Sequence, residues 1–321
     1  MPCEFELIKK YFSAPEQACG LSLGNGDDCA LFTPPPGFEI AVTTDTLNEG
    51  IHFFKGTDPF LLGYKSLLVN ISDLAAMGAS PWCFTLSLTL PEARDEFLQA
   101  FSQGLYSLSR AEGMALIGGN TTKGPLSFTI TAFGLVKKGS AMLRSAAVPG
   151  EDIYVTGTLG LAALYVECGY GRITAAPRFL KELERACMLI PSRTSFAAKL
   201  AQSSLSRCAI DLSDGLKGDL GHILESSHTG AEIWLEALPC AGELADCLPE
   251  DEARRIELAA CGGGDYELLF TAFPARRYEI ARLAEETQVK VTRIGKITSS
   301  EYTFLKNDTI YPLTATSFEH F

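Results

Sequence analysis

Gly24-Asn25-Gly26-Asp27-Asp28-Cys29-Ala30-Leu31-Phe32 and, beyond Pro34-Pro35-Pro36-Gly37, Thr43-Thr44-Asp45-Thr46-Leu47-Asn48-Glu49-Gly50-Ile51-His52 are the segments around which this chain is organised. Two adjacent carboxylates sit behind two glycines. A β-rich run follows the proline turn, and a third carboxylate follows a threonine pair. The pattern predicts strand, tight loop, strand, with both acidic ends at one edge of a sheet. Crowded carboxylates repel unless a hard cation neutralises them, and oxygen-only sets suit magnesium or calcium rather than zinc. A lone Asp27-Asp28 would read as a turn cap. Acid-bearing stretches recur downstream, which favours a metal and phosphate site.

Downstream, the pattern over 58–77 predicts a long helix stopped by Gly78 and Pro81. Asn70 and Asp73 share one face of it, among almost wholly apolar neighbours, and an aspartate there is costly to bury unless a partner or cation meets it. Residues 82–90 alternate as a half-buried strand, and 94–112 form an amphipathic helix ended at Gly113. A short strand over 114–117 is expected to run into a turn, Gly118-Gly119-Asn120-Thr121-Thr122-Lys123-Gly124-Pro125. Bare amides and Lys123 would cradle a phosphate there, although Gly-Gly-Asn is also a common turn. Another strand covers 126–136. Arg144 is a candidate phosphate clamp, set against the usual role of an isolated arginine on a solvated surface.

Val148-Pro149-Gly150-Glu151-Asp152 marks a boundary, giving domains 1–148 and 149–321. In Cys208-Ala209-Ile210-Asp211-Leu212-Ser213-Asp214-Gly215 a short buried strand delivers Asp211, Ser213 and Asp214 to its end, before a helix. Ser213 or Asp214 capping that helix is an ordinary account of one of them. It does not explain Asp211, which lies between Ile210 and Leu212. Cys261-Gly262-Gly263-Gly264-Asp265-Tyr266-Glu267 is a glycine turn before a strand over 268–271.

Bulk properties narrow the class. At 321 residues the chain exceeds one typical core, so two domains are expected. The net charge of -12 argues against nucleic-acid and anionic-membrane partners. No apolar run reaches the ~18 residues of a membrane helix. The acidic start lacks the apolar segment of a secretory signal, so a cytoplasmic location is expected. Ten cysteines without a Cys-x-x-Cys pair read as small buried residues, not a zinc site or disulfide frame. Together these predict an α/β (α+β) enzyme of two domains handling a metal-bound phosphate compound.

The same motifs resemble the thiamine-monophosphate kinase family, of the superfamily that includes aminoimidazole ribonucleotide synthetase. The resemblance spans nearly the whole chain. It rests on the two opening stretches, Val69-Asn70-Ile71-Ser72-Asp73-Leu74-Ala75-Ala76-Met77-Gly78-Ala79, Ile117 to Pro125, Ile210 to Gly215 and Gly263-Gly264-Asp265-Tyr266-Glu267-Leu268, in the family's order. It implies transfer of the γ-phosphoryl of ATP to thiamine monophosphate by direct in-line attack, with several magnesium ions and room for a monovalent cation. It implies a homodimer in which N-terminal mixed sheets with flanking helices join into a barrel. The N-terminal domain would bind ATP and metal. A sandwich-like C-terminal α/β domain would complete the nucleotide and substrate cleft. Carried over by motif, Asp27, Asp28, Thr43, Thr44, Asp45, Asp73, Asn120, Asp211 and Asp214 would hold metal. Asp45, Asp73 and Asp211 would serve the transfer, with no covalent nucleophile. Gly119, Asn120, Arg144 and Ser213 would contact ATP, and His52, Gly264 and Phe318 the acceptor.

The chain departs from the family pattern at two of these positions. Asn120 stands where the family has an aspartate, and Gly264 where it has a glutamate. The glycine loop after Val155 is also short. An amide oxygen can ligate magnesium but brings no charge. These departures motivate one alternative, a catalytically weakened homologue that binds nucleotide or thiamine phosphates. Another ATP-dependent enzyme of the superfamily is the second.

Overall fold

The computed structural model describes residues 4–12 and 20–318. Cys3, Cys19 and the terminal Glu319-His320-Phe321 lie outside them. The chain forms two compact units: one runs up to Leu74 and resumes over Ala79–Lys138, and the other comprises Ala75–Gly78 and everything from Gly139. This division falls ten residues before the Val148–Asp152 turn, because residues 142–147 are tied into the second unit. Met142 N–H donates to Met77 O at 3.2 Å, and Leu143 N–H to Arg207 O at 2.8 Å.

The first unit contains α1 (Glu4–Tyr11), β1 (Leu21–Leu23), β2 (Leu31–Phe32), β3 (Phe38–Asn48), α2 (Pro59–Ala76), β4 (Ser80–Leu90), α3 (Asp95–Ala111), β5 (Ala115–Lys123) and β6 (Ser127–Lys137). The last two residues of α2 belong to the second unit. Four strands form a mixed sheet in the order β3-β6-β4-β5, with β4 and β5 parallel. The expected strand-loop-strand exists, but its arms lie in different sheets. Among the described residues β2 pairs only with β1, whereas β3 pairs with β6 over its full length. The proline turn is fastened to the second of these, since Lys138 N–H donates to Gly37 O at 3.0 Å. Asp27-Asp28 therefore sit in the β1–β2 loop, and Asp45 lies inside β3.

A second expectation also changes. The chain does not turn at Gly118-Gly119; β5 continues through to Lys123, beside β4. Gly119 is needed for that approach, because a Cβ there would lie 2.0 Å from Leu86 O. Its glycine thus serves close strand packing rather than a turn.

Phe84, Leu86, Leu88 and Leu90 line the buried face of β4, none more than 4% exposed. On the same face, Phe101 of α3 meets Phe128 of β6 at 4.7 Å between ring centroids. α2 and α3 cross through glycines: a Cβ on Gly63 would lie 2.0 Å from Phe101 O, and one on Gly104 would lie 1.9 Å from Phe60 O. Gly104→Ala must push the helices apart. A loss of about 1–3 kcal/mol in urea unfolding is expected, and no loss would mean the crossing relaxes freely.

The second unit holds β7 (Asp152–Thr156), α4 (Leu161–Gly169), α5 (Pro177–Met188), α6 (Thr194–Gln202), β8 (Cys208–Asp211), α7 (Leu216–Ser227), β9 (Gly230–Trp234), α8 (Gly242–Cys247), α9 (Glu252–Cys261), β10 (Leu268–Ala272), α10 (Arg277–Thr287), β11 (Val291–Thr298), β12 (Tyr302–Lys306) and β13 (Thr309–Ile310). Its seven-stranded sheet has the order β13-β12-β9-β11-β7-β10-β8. β7, β8 and β10 are buried along their whole length. Tyr154 stacks on Phe270 at 5.1 Å, and Phe196 of α6 packs on the same ring at 5.7 Å. Burial pushes the Cys208 thiol up to about 12, as expected for an inert core cysteine. Among the described residues no helix is long and apolar enough to cross a membrane.

Candidate functional site

In the first unit, strand alternation sorts the candidates onto two faces of one sheet. Thr43 and Asp45, two residues apart, share the face of β3 that looks toward α2, and the Thr43 hydroxyl donates to Asp73 Oδ2. Asp73 is brought there by the apolar sides of α2, whose Ile71, Leu74 and Ala75 are buried. Asn70 turns back on its own helix, its Nδ2 donating to Ser66 O at 3.1 Å. Thr44 points the other way and shares a hydrogen bond with Thr131 at 2.8 Å. Asn120 lies on that same opposite face, in register with Ser87 and Thr129. The structure therefore joins Thr43 to Asp73, sets Asp45 on the same face of β3, and places Thr44 and Asn120 on the opposite face.

Asp27 and Asp28 are exposed, and Asp28 N–H donates to Asp27 Oδ1 at 2.8 Å, a local turn that employs Asp27 as a cap. His52 closes the turn after β3, with Nδ1 accepting the Asn48 N–H at 3.0 Å. Its neutral form accordingly carries the ring proton on Nε2.

In the second unit, the acid-bearing and glycine-rich motifs lie side by side. Leu212 N–H donates to Glu267 O and Tyr266 N–H to Leu212 O, both at 2.8 Å, and Gly264 N–H donates to Ser213 O at 2.7 Å. Asp211 ends β8 at 4% exposure. Gly215 opens α7 with φ +111°, and a Cβ there would lie 2.7 Å from Cys261 O. Phe318 reaches the same place, its N–H donating to Asp214 O at 3.2 Å. Arg144 begins a single 3₁₀ turn and is exposed, and its carbonyl accepts the Ser227 hydroxyl at 2.7 Å.

Sequence reasoning did not single out Asp219 as a site residue. Its Oδ2 accepts N–H from Asp214 at 3.1 Å and from Gly215 at 3.0 Å, fixing the loop that presents Ser213 and Asp214. Burial, then the Asp214 carboxylate, push its pKa up to about 7, against the two amides and Arg144. An acid in the first turn of a helix was the available signal. Asp265 and Glu267, in the same glycine-rich motif, are bonded to neighbouring parts of the fold. Asp265 accepts the Gly160 N–H at 2.9 Å, and Glu267 is gripped by Arg193 through two bonds of 2.6 Å.

Among the described residues no three acidic, histidine or cysteine side chains close into a group able to hold a metal. Among the described residues, neither unit taken by itself holds a preformed cage of such side chains. Magnesium needs none, since it takes one or two carboxylates and leaves its other positions to water and phosphate oxygens. Asp73, bonded to the Thr43 hydroxyl, with Asp45 two residues along the same face of β3, offers oxygens of the kind that ion takes.

Residues 26–136 match the family model described as AIR synthase related protein, N-terminal domain. The thiamine-monophosphate kinase of Escherichia coli (strain K12) is 42% identical over 305 residues, covering 93% of this chain and 92% of that one. The crystal structure of thiamine-monophosphate kinase from Stenotrophomonas maltophilia K279a superposes with a TM-score of 0.85 at 38% identity, covering 96% of this chain and 98% of that one. A structure of AaThiL complexed with AMPPCP and TMP has a TM-score of 0.77 at 26% identity, covering 99% and 96%.

Proposed function

The chain belongs to the thiamine-monophosphate kinase family, and on that premise we propose that it moves the γ-phosphoryl of ATP to thiamine monophosphate by direct in-line transfer. An acceptor phosphate oxygen forms the new bond to the γ-phosphorus as the bond to the β–γ bridging oxygen breaks, and ADP departs with that oxygen. Such a transfer needs alignment and charge neutralisation more than a covalent nucleophile. The observation that carries the metal-assisted part is the meeting of Thr43 with Asp73 beside Asp45. Magnesium bound with the nucleotide supplies the charge that offsets repulsion between the two phosphates.

Asp45 and Asp73 in the first unit, and Asp211 and Asp214 in the second, are assigned to ion binding, with Asp28 and Asn120, the latter on the other face of the sheet, as further donors to a separate ion. Ser213, Arg144 and Gly119 are assigned to ATP, and His52, Gly264 and Phe318 to the acceptor. Phe318, whose N–H is bonded to Asp214 O, brings an aromatic residue to this acidic loop, and an aromatic face suits a cationic thiazolium. The chain is further proposed to act as a cytoplasmic homodimer. Supporting this, Phe38, Ile40 and Val42 form an apolar row on the outer face of β3, between 37% and 58% exposed. Sedimentation velocity reads the mass directly.

A coupled ADP-release assay with magnesium, ATP and thiamine monophosphate tests the function; one thiamine diphosphate per ADP is expected. Binding without turnover would favour the weakened homologue, and turnover only with another acceptor would favour a different enzyme of the superfamily. Asn120→Asp restores the family's charge and should lower the magnesium concentration for half-maximal rate by about threefold or more. An unchanged magnesium curve would remove Asn120 from the ion contacts.

A further inference from the structure

Residues 311–318 form neither helix nor strand, yet they are fastened to the first turn of α7. Lys217 Nζ donates to Leu313 O at 2.9 Å and to Ala315 O at 2.7 Å. Gly218 N–H donates to Ser317 Oγ at 2.9 Å, and Phe318 N–H to Asp214 O at 3.2 Å. The thiol of Cys261 also donates to Ala315 O, at 3.4 Å. The lysine's own carbonyl is held in turn by the Tyr302 hydroxyl at 3.0 Å. Gly218 leaves the room this needs, since a Cβ there would lie 2.8 Å from Ser317 Cβ.

A lysine in the first turn of a helix is opposed by the helix dipole. Two main-chain carbonyls from a segment distant in the chain account for its place. Ser317 supplies α7 with the cap that its own N-terminal glycine lacks.

We propose that Lys217 is a positioning residue: with Ser317 it holds the terminal segment on α7 so that Phe318 stays beside Asp214, and it thereby sets affinity for the thiamine end of the acceptor. The proposal rests on Phe318 being an acceptor contact. A ring already ordered before binding saves the entropy of fixing it during binding. The effect belongs in KM for thiamine monophosphate, with KM for ATP and kcat nearly untouched.

Lys217→Met keeps the apolar stem and removes the ammonium. It is expected to raise KM for thiamine monophosphate by about 10-fold, with kcat and KM for ATP within about twofold. Lys217→Arg can still donate to both carbonyls and should restore KM. Ser317→Ala, a milder change that keeps the fold, should raise KM by about threefold. Amide hydrogen exchange reads the tether itself: the Gly218 and Phe318 N–H groups should exchange faster in Lys217→Met. Phe318→Ala should raise KM at least as much, and adding Lys217→Met to it should change nothing more.

Unchanged exchange in Lys217→Met would overturn the tether. Faster exchange with unchanged KM, while Phe318→Ala still raises KM, would overturn the link from tether to affinity. A further rise in the double variant would show that Lys217 acts by another route. An unaltered KM in Phe318→Ala alone would instead remove the acceptor contact on which the proposal stands.

Discussion

Asp73→Asn is expected to lower kcat by about 10²–10³-fold while leaving the melting temperature nearly unchanged, the scale of losing one preorganised electrostatic group. The asparagine has the same shape, and its amide oxygen can accept the hydrogen bond that the Thr43 hydroxyl gives the native carboxylate. What disappears is one negative charge on the face of β3 and α2 where Asp45 also stands. If that face holds the ions that neutralise two phosphates, the remaining carboxylate cannot replace the lost charge. Rates should be taken at saturating ATP and thiamine monophosphate across a magnesium series. Partial recovery at high magnesium would agree with weakened ion binding. A rate within about threefold of the native enzyme at every magnesium concentration would remove Asp73 from the site.

The largest stability effect is expected at Arg193→Met. Arg193 and Glu267 are joined through two bonds of 2.6 Å, with side chains only 14% and 6% exposed. Thr156 adds a hydroxyl bond to Glu267 Oε2 at 2.5 Å, and Gly157 leaves the carboxylate its space. Removing the guanidinium leaves a buried carboxylate without its counter-charge, at a cost of about 3–5 kcal/mol. A cooperative unit of this size loses about 2–4 °C in melting temperature per kcal/mol, so a drop of about 6–20 °C is expected. Replacing both partners, Arg193→Met with Glu267→Leu, should recover much of it. A single variant melting within about 2 °C of the native chain would mean water reaches the carboxylate. The loop would suffer as well, because Glu267 lies three residues from Gly264, which is bonded to Ser213.

Much of this molecule is legible in the sequence wherever period and punctuation act locally. The helices over 58–77 and 94–112, the strands over 82–90 and 126–136, and the buried strand carrying Asp211 follow from spacing alone. The β1–β2 hairpin does not, since which partner a strand chooses is a non-local matter. Nor does the passage of β5 through Gly118 and Gly119, where packing against Leu86 overrides the turn preference of two glycines. Site residues divide in the same way. Asp73 stands out as a charge among apolar neighbours. Asp265 and Glu267 look alike in sequence to acids that serve a ligand. Only their partners, Gly160 and Arg193, reveal that they hold the loop in place.

The place of β7 in the seven-stranded sheet bears on how the protein is made. Its two neighbours are β10 and β11, both encoded more than a hundred residues later. During synthesis at about 5–20 residues per second, this strand, buried along its whole length in the folded unit, leaves the ribosome on the order of ten seconds before either neighbour exists. The second unit therefore cannot close until translation is nearly finished. Nascent chains stalled ahead of residue 268 should expose Ile153, Tyr154 and Val155 unpaired, and chaperone binding should weaken when these are made polar.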